Sequence, residues 1–188
     1  LHNILCVFAG RQLPFKFQRG IGSAQIGVDL TVGDAAIHGL QANDETQGHR
    51  FLAPNKIKVT SYRDYVEKLR SAFVIVDPVE RRERIRQEAR ALAAMHDLTL
   101  NDDDALLDEV TALVEWPVPL LGRIDESFMD LPPEVLATVM RHHRKYFSLK
   151  DKSGKLAPYF AVAANLETKD KGAAIVAGNE RVLRARLA

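Results

Sequence analysis

The sequence predicts an α+β fold, a mixed sheet built from segments 1–60 and 116–166 with residues 61–115 as a helical elaboration. Three observations carry that expectation. Segment 1–60 is rich in Gly, Val and Ile, set out as short apolar runs separated by glycines, which is the pattern of strands and turns. The middle repeats apolar residues at helical spacing, and from Val118 onward short strands and helices alternate.

In chain order, the apolar runs Ile4–Ala9, Gly27–Leu30, Ala36–Leu40 and Ile57–Val59 read as strands. Tyr62, Tyr65, Val66 and Leu69 then recur on one helical face, and Val74-Ile75-Val76 reads as a short strand. Asp77-Pro78 supplies an N-cap and a proline at the first helical position. The run through Ala94 places Val79, Ile85, Ala89, Leu92 and Met95 on an apolar face, with Arg81, Arg82, Arg84 and Glu88 toward water. Asn101-Asp102-Asp103-Asp104 caps a further helix through Leu106, Leu107, Val110 and Leu113, which Trp116-Pro117 ends. Val118–Leu121 follows as a strand, Pro132–Arg141 as a helix entered at a proline pair, and Lys145–Leu149 as a strand. A Lys-Ser-Gly-Lys turn at Lys152–Lys155 leads into the apolar strand Tyr159–Ala164, and a final helix starts near Asn179.

The 188 residues suffice for one domain at about 150 residues per domain, large enough to bury an adequate core. Hydrophobic residues at 46% and charged residues at 27% exclude disordered, collagen-like and coiled-coil classes. Cys6 is the one cysteine, so no disulfide within the chain and no Cys-rich zinc site can form, and the thiol reads as a small buried hydrophobe. No apolar stretch approaches the ~18 residues of a membrane helix, and the N-terminus lacks the parts of a secretory signal, so a cytosolic chain is expected. The missing initiator Met and the stop at Arg186-Leu187-Ala188 inside a helical pattern predict an excised piece of a longer protein.

The net charge of +1 hides a strong asymmetry. Residues 61–115 carry 8 basic and 13 acidic side chains, whereas residues 141–188 carry 11 basic and 4 acidic, a surplus of +7. A basic end suits phosphate contacts, and it equally suits a solvated charged face.

Asp102-Asp103-Asp104 reads as a cap with dipole-favourable neighbours, since no Gly or distant Glu completes a calcium loop. Met95-His96-Asp97 holds a His-Asp pair, and no further ligands stand at metal-binding spacing from it. The cluster Arg141-His142-His143-Arg144-Lys145-Tyr146 offers charge for phosphate and rings for stacking, as RNA readers do, while Tyr146 or Phe147 can equally be core. In Gly48-His49-Arg50-Phe51 a tight glycine beside His and Arg suits an anion. The alternative there has Phe51 anchoring the loop while His49 and Arg50 hold its carbonyls. Gly178-Asn179-Glu180-Arg181 opens the last helix, where N-terminal amides with Arg181 and Arg184 suit phosphate, or Glu180 pairs with the arginines internally. No phosphate loop, nucleophile elbow or zinc-protease motif occurs, so no catalytic residue and no metal ligand is assigned.

Five blocks occur in order: Gly48-His49-Arg50-Phe51, Leu113-Val114-Glu115-Trp116-Pro117, Asp130-Leu131-Pro132-Pro133-Glu134-Val135-Leu136, Lys145-Tyr146-Phe147, and the run from Gly178 to Ala188. That series resembles the β subunits of bacterial heterotetrameric glycyl-tRNA synthetases along the whole chain. One departure is His143, where many members carry glutamine. The resemblance implies an internal fragment of a longer subunit, folded as one module over 1–188 like the B3/B4 module of the phenylalanyl-tRNA synthetase β subunit. Its helical elaboration is 61–115, and 178–188 begins a helix leading to the next domain. It further implies a cytoplasmic class II ligase of α2β2 assembly, with ATP and Mg2+ bound by the α subunit and none by this fragment, which alone is expected to be inactive. The partners implied are the α subunit and the glycine tRNA, with neither membrane nor DNA. The residues expected to contact tRNA or the other subunit are His49, Arg50, Arg141, His142, Lys145, Tyr146, Arg181 and Arg184. Two rival roles stay open: a deacylase editing mischarged tRNA, and a structural spacer between tRNA-binding domains.

Overall fold

A computed structural model describes residues 3–13 and 41–188. The expected strands at Gly27–Leu30 and Ala36–Leu40 lie outside the described residues. The chain divides into two compact units, Leu1–Val74 and Ile75–Ala188, and the character of the whole is α+β.

The first unit is made of short two-stranded ladders. Strand β1 (Ile4–Leu5) pairs in parallel with β4 (Ala42–Asn43). Strands β2 (Val7–Phe8) and β3 (Arg11–Gln12) form a hairpin whose corner residues Ala9 and Gly10 both have positive φ, as a two-residue type I′ turn requires. Strands β5 (Glu45–Gln47) and β6 (Lys56–Lys58) pair antiparallel. Cys6, in this region, is half-buried rather than fully enclosed.

Helix α1 (Tyr62–Ser71) starts where the Ser61 side chain accepts the Asp64 N–H, while Asp64 reaches back to accept the Thr60 N–H. It ends with Phe73 at φ 60°, the Phe73 N–H bonded to the Arg70 carbonyl and the Val74 N–H to the Leu69 carbonyl. These two bonds close a Schellman cap. The strand expected at Val74–Val76 is therefore absent: Val74 completes the cap, and the Ile75 N–H bonds to the Glu115 carbonyl. The Ile75 and Val76 carbonyls accept Arg81 Nη1 at 2.6 and 2.9 Å. With those groups taken, no ladder can form there.

The second unit is built on one four-stranded antiparallel sheet in the order β7 (Thr99–Leu100), β9 (Phe147–Lys150), β10 (Leu156–Ala164), β8 (Val118–Arg123). The single mixed sheet shared by segments 1–60 and 116–166 is not what forms among the described residues, because the first unit's strands pair only with one another. The β9–β10 hairpin turns at Asp151, whose carboxylate accepts the Ser153 and Lys155 N–H groups.

Helices cover both faces of this sheet. On one side α2 (Pro78–Ala94) and α3 (Asp104–Leu113) pack Ile85, Ala89, Ala93, Leu106, Leu107 and Val110 against Phe147, Leu149, Ala157 and Ala161. Asp77 caps α2 through the Val79 N–H, and Asp103 caps α3 through the Leu106 N–H, as their sequence signatures indicate. The apolar face of α2 is narrower than expected. Val79 is 71% exposed and Met95 80%, because the buried stripe follows Ile85, Ala89 and Ala93 at four-residue steps. Its arginines do not simply face water either. Arg81 ties down carbonyls, Arg82 pairs with Asp104 and Asp108, and Arg84 lies 4.5 Å over the Trp116 ring.

The other face holds α4 (Pro133–Thr138), a π-helical stretch Val139–Arg144, and α5 (Ala173–Leu187). The helix expected over Pro132–Arg141 thus changes pitch midway. Lys145, at φ 59°, terminates the stretch in the left-handed region, so the strand expected from Lys145 begins only at Phe147. The core on this side is Ile124, Leu136, Met140, Tyr146, Phe160 and Leu183. Phe160 is fully buried and stacks on Tyr146 with ring centroids 4.4 Å apart. Helix α5 begins six residues ahead of Asn179, where Asp170 accepts the Gly172 and Ala174 N–H groups and Gly172 takes φ 86°.

Candidate nucleic-acid interface

Folding brings the acidic middle against the basic end. Arg141 is bridged to Asp103, Lys145 to Glu109, and Lys152 to Asp97 at 2.9 Å. On the exposed side of α2, Arg82, Arg86 and Arg90 stand one helical turn apart and engage Asp102, Asp104 and Asp108 near and within α3. The surplus of cations counted along residues 141–188 is thereby partly neutralised by residues distant in sequence. The three consecutive aspartates divide their work: Asp103 caps, Asp102 holds Arg90, and Asp104 holds Arg82 and Arg86.

Electrostatics follow this pairing. The Arg141 guanidinium holds the Asp103 carboxyl below the usual carboxylate range, with the Leu106 N–H adding to the effect. Asp125 is lowered chiefly by its bonds from Ser127, with Arg184 contributing as a neighbouring cation. Among the described residues no group of three His, Cys, Asp or Glu side chains is placed to hold a metal ion. His96 is exposed, and Asp97 pairs with Lys152.

The eight expected contact residues separate into three groups. His49 and Tyr146 are interior. His49 is 1% exposed, and its Nδ1 accepts the Phe51 and Leu52 N–H groups at 3.3 and 3.2 Å. The Tyr146 hydroxyl donates to Asn179 Oδ1, and burial pushes its pKa up. Arg141 and Lys145 stand at the surface but are engaged with Asp103 and Glu109. Arg50, His142, Arg181 and Arg184 are exposed. Arg184 lies 3.2 Å from Asp125, whereas Arg181 has no acidic partner among the described residues.

Arg181 and Arg184 lie within α5, not at its start, so the backbone amides of Gly178–Arg181 belong to the helix and form no anion site. Asn179 and Glu180 are inward-facing ties: Asn179 donates to the Ile175 carbonyl and Glu180 accepts the Arg123 N–H. Beside them a cavity of about 380 Å³ opens between α5 and the Arg123–Phe128 segment, rimmed by Arg123, Asp125, Glu180 and Arg184 over Ile124 and Leu183. Sequence reasoning missed this cavity, since its walls meet only through the packing of α5 on β8.

The family model for "Glycyl-tRNA synthetase beta subunit" matches residues 10–188. The glycine–tRNA ligase beta subunit of Rhodospirillum centenum is 51% identical over 193 residues, covering 100% of this chain and 27% of that protein. The beta subunit from Ruegeria sp. is 46% identical over 100% of the chain and 25% of its own length. That of Pseudomonas putida is 47% identical over 83% of the chain and 23% of its own length. The chain spans about a quarter of the length of these relatives.

Proposed function

This chain belongs to the glycyl-tRNA synthetase beta subunit family, and from that premise we propose that it is part of a glycine–tRNA ligase, which joins glycine to its tRNA with ATP converted to AMP and pyrophosphate. The observation that carries the reading is the family match across residues 10–188, with 51% identity to one beta subunit over the whole chain. In this reading the α subunit holds the activating site with ATP and Mg2+, the two subunits form an α2β2 assembly in the cytoplasm, and this region supports tRNA binding. Its α+β module is taken as the counterpart of the B3/B4 module of the phenylalanyl-tRNA synthetase β subunit. No helix among the described residues is long and apolar enough to cross a membrane.

The contacts proposed are to phosphate and sugar, which position an RNA without reading its sequence. Arg50, His142, Arg181 and Arg184 have the exposure for such contacts, and Arg141 and Lys145 would exchange a carboxylate for a phosphate. Kinetics of the assembled enzyme carrying Arg181→Glu with Arg184→Glu test this. The tRNA KM should rise several-fold with kcat little changed, and the salt dependence should become shallower by about one unit of slope per lost contact. An unchanged tRNA KM at every salt concentration would overturn the tRNA-contact role.

A further inference from the structure

The Gly48–Leu52 turn inverts the roles that its residue types suggest. His49, the group best suited to a ligand, is buried, and its ring nitrogen holds the turn by accepting two backbone N–H groups. The His49 N–H donates to the Ala72 carbonyl and its own carbonyl accepts the Ala53 N–H, both at 2.9 Å or less. Gly48 is seated so closely that a Cβ there would lie 2.5 Å from the Ala72 Cβ and 2.9 Å from two carbonyl oxygens. Phe51, by contrast, is 71% exposed. A large apolar ring is thus displayed to water on a turn that buried contacts fix in place.

The surroundings of that ring define what fits it. The Arg50 guanidinium lies over the Phe51 ring at 5.7 Å from its centroid, within cation–π range. Residues 48–55 contain no acidic side chain, and the preceding acids Asp44 and Glu45 are paired with Lys58 and Lys56 at 3.0 and 2.8 Å. Leu52 and Ala53 are half-buried, so among the described residues Phe51 is a single ring beside a cation with no acidic partner and not part of a broad apolar patch. A flat aromatic group attached to an anion matches this arrangement, and an unpaired nucleotide has that chemistry: a base to stack and a phosphate for the cation.

We propose that the Gly48–Leu52 turn is a stacking platform on which Phe51 receives an unpaired base of the bound tRNA, with Arg50 at the adjoining phosphate and His49 as the positioning residue beneath. This rests on the reading that the region contacts tRNA. In the assembled full-length enzyme, Phe51→Leu should weaken tRNA affinity on the order of tenfold, by a factor nearly constant across salt concentrations, as expected for stacking. Phe51→Trp and Phe51→Tyr should retain binding, a rescue that a merely structural role for an exposed side chain does not produce. With photoreactive p-benzoylphenylalanine at position 51, the crosslink should form to tRNA and be competed by unlabelled tRNA. Crosslinking only to protein would make Phe51 a subunit anchor and overturn the proposal, as would unchanged affinity in Phe51→Leu. If Phe51→Leu is silent while the Arg181 and Arg184 reversals weaken binding, the platform fails and the tRNA reading stands. If all of these variants are silent, the tRNA reading itself fails.

Discussion

Replacing Asp103 tests how α3 is capped and how its start is tied to Arg141 of the helical stretch Val139–Arg144. The Asp103 side chain accepts the Leu106 N–H at 2.9 Å as the cap of α3, and the same carboxylate bridges Arg141. Asp103→Ala removes both. Loss of the cap alone costs about 1 kcal/mol, and the bridge adds modestly, because Arg141 sits at the surface where water and salt weaken ion pairs. Asp103→Asn keeps a capping oxygen and loses only the charge, so it should retain most of the stability. The assay is urea unfolding of wild type and both variants across pH. Because Asp103 has a depressed folded pKa, its charge contributes fully above the unfolded carboxyl value of about 3.9 and is lost as pH falls through the lower folded value. The acid-side decline should therefore be shallower in both variants. Equal destabilisation by Asn and Ala would refute the cap as the main source, and an unaltered acid limb would refute the bridge.

Two further substitutions probe the opposite face. Gly122→Ala would place a Cβ 2.3 Å from the Phe160 ring, which cannot retreat because it is fully buried and stacked on Tyr146. Thermal unfolding should show a loss of about 1–3 kcal/mol, partly rescued by Phe160→Leu, and no rescue would place the strain elsewhere. Tyr146→Phe keeps the stack and removes the bond to Asn179, for a cost of about 1 kcal/mol. Burial raises the Tyr146 pKa, so its contribution is present below about pH 10 and lost as pH rises through the folded value; the variant should lack that alkaline decline. A drop in tRNA affinity with no loss of stability in Tyr146→Phe would instead return this residue to the RNA surface.

What could be read from the sequence is what depends on neighbours along the chain. The caps at Asp77 and Asp103, the strands after Val118 and before Ala164, and the α+β character all follow from local spacing. The misreadings are tertiary in origin. Val74–Val76 has strand composition, but Arg81 occupies its carbonyls from the next helix. Gly178 looked like a helix boundary, yet it lies inside α5, whose start is set by Thr168 and Asp170 folding over Gly172. At the candidate site, charge counting found the basic end but not the pairing of Asp97, Asp103 and Glu109 with Lys152, Arg141 and Lys145. The exchange of roles between His49 and Phe51 depends on Gly48 packing against Ala72, a contact that no local pattern encodes.

The most direct test of tRNA contact by this region is arginine modification by phenylglyoxal in the assembled enzyme, read peptide by peptide with and without the glycine tRNA. The account predicts that tRNA protects Arg50, Arg181 and Arg184 while Arg82 and Arg86, held by the aspartates of α3, are unchanged. Equal reactivity of Arg50, Arg181 and Arg184 in the presence and absence of tRNA would contradict it.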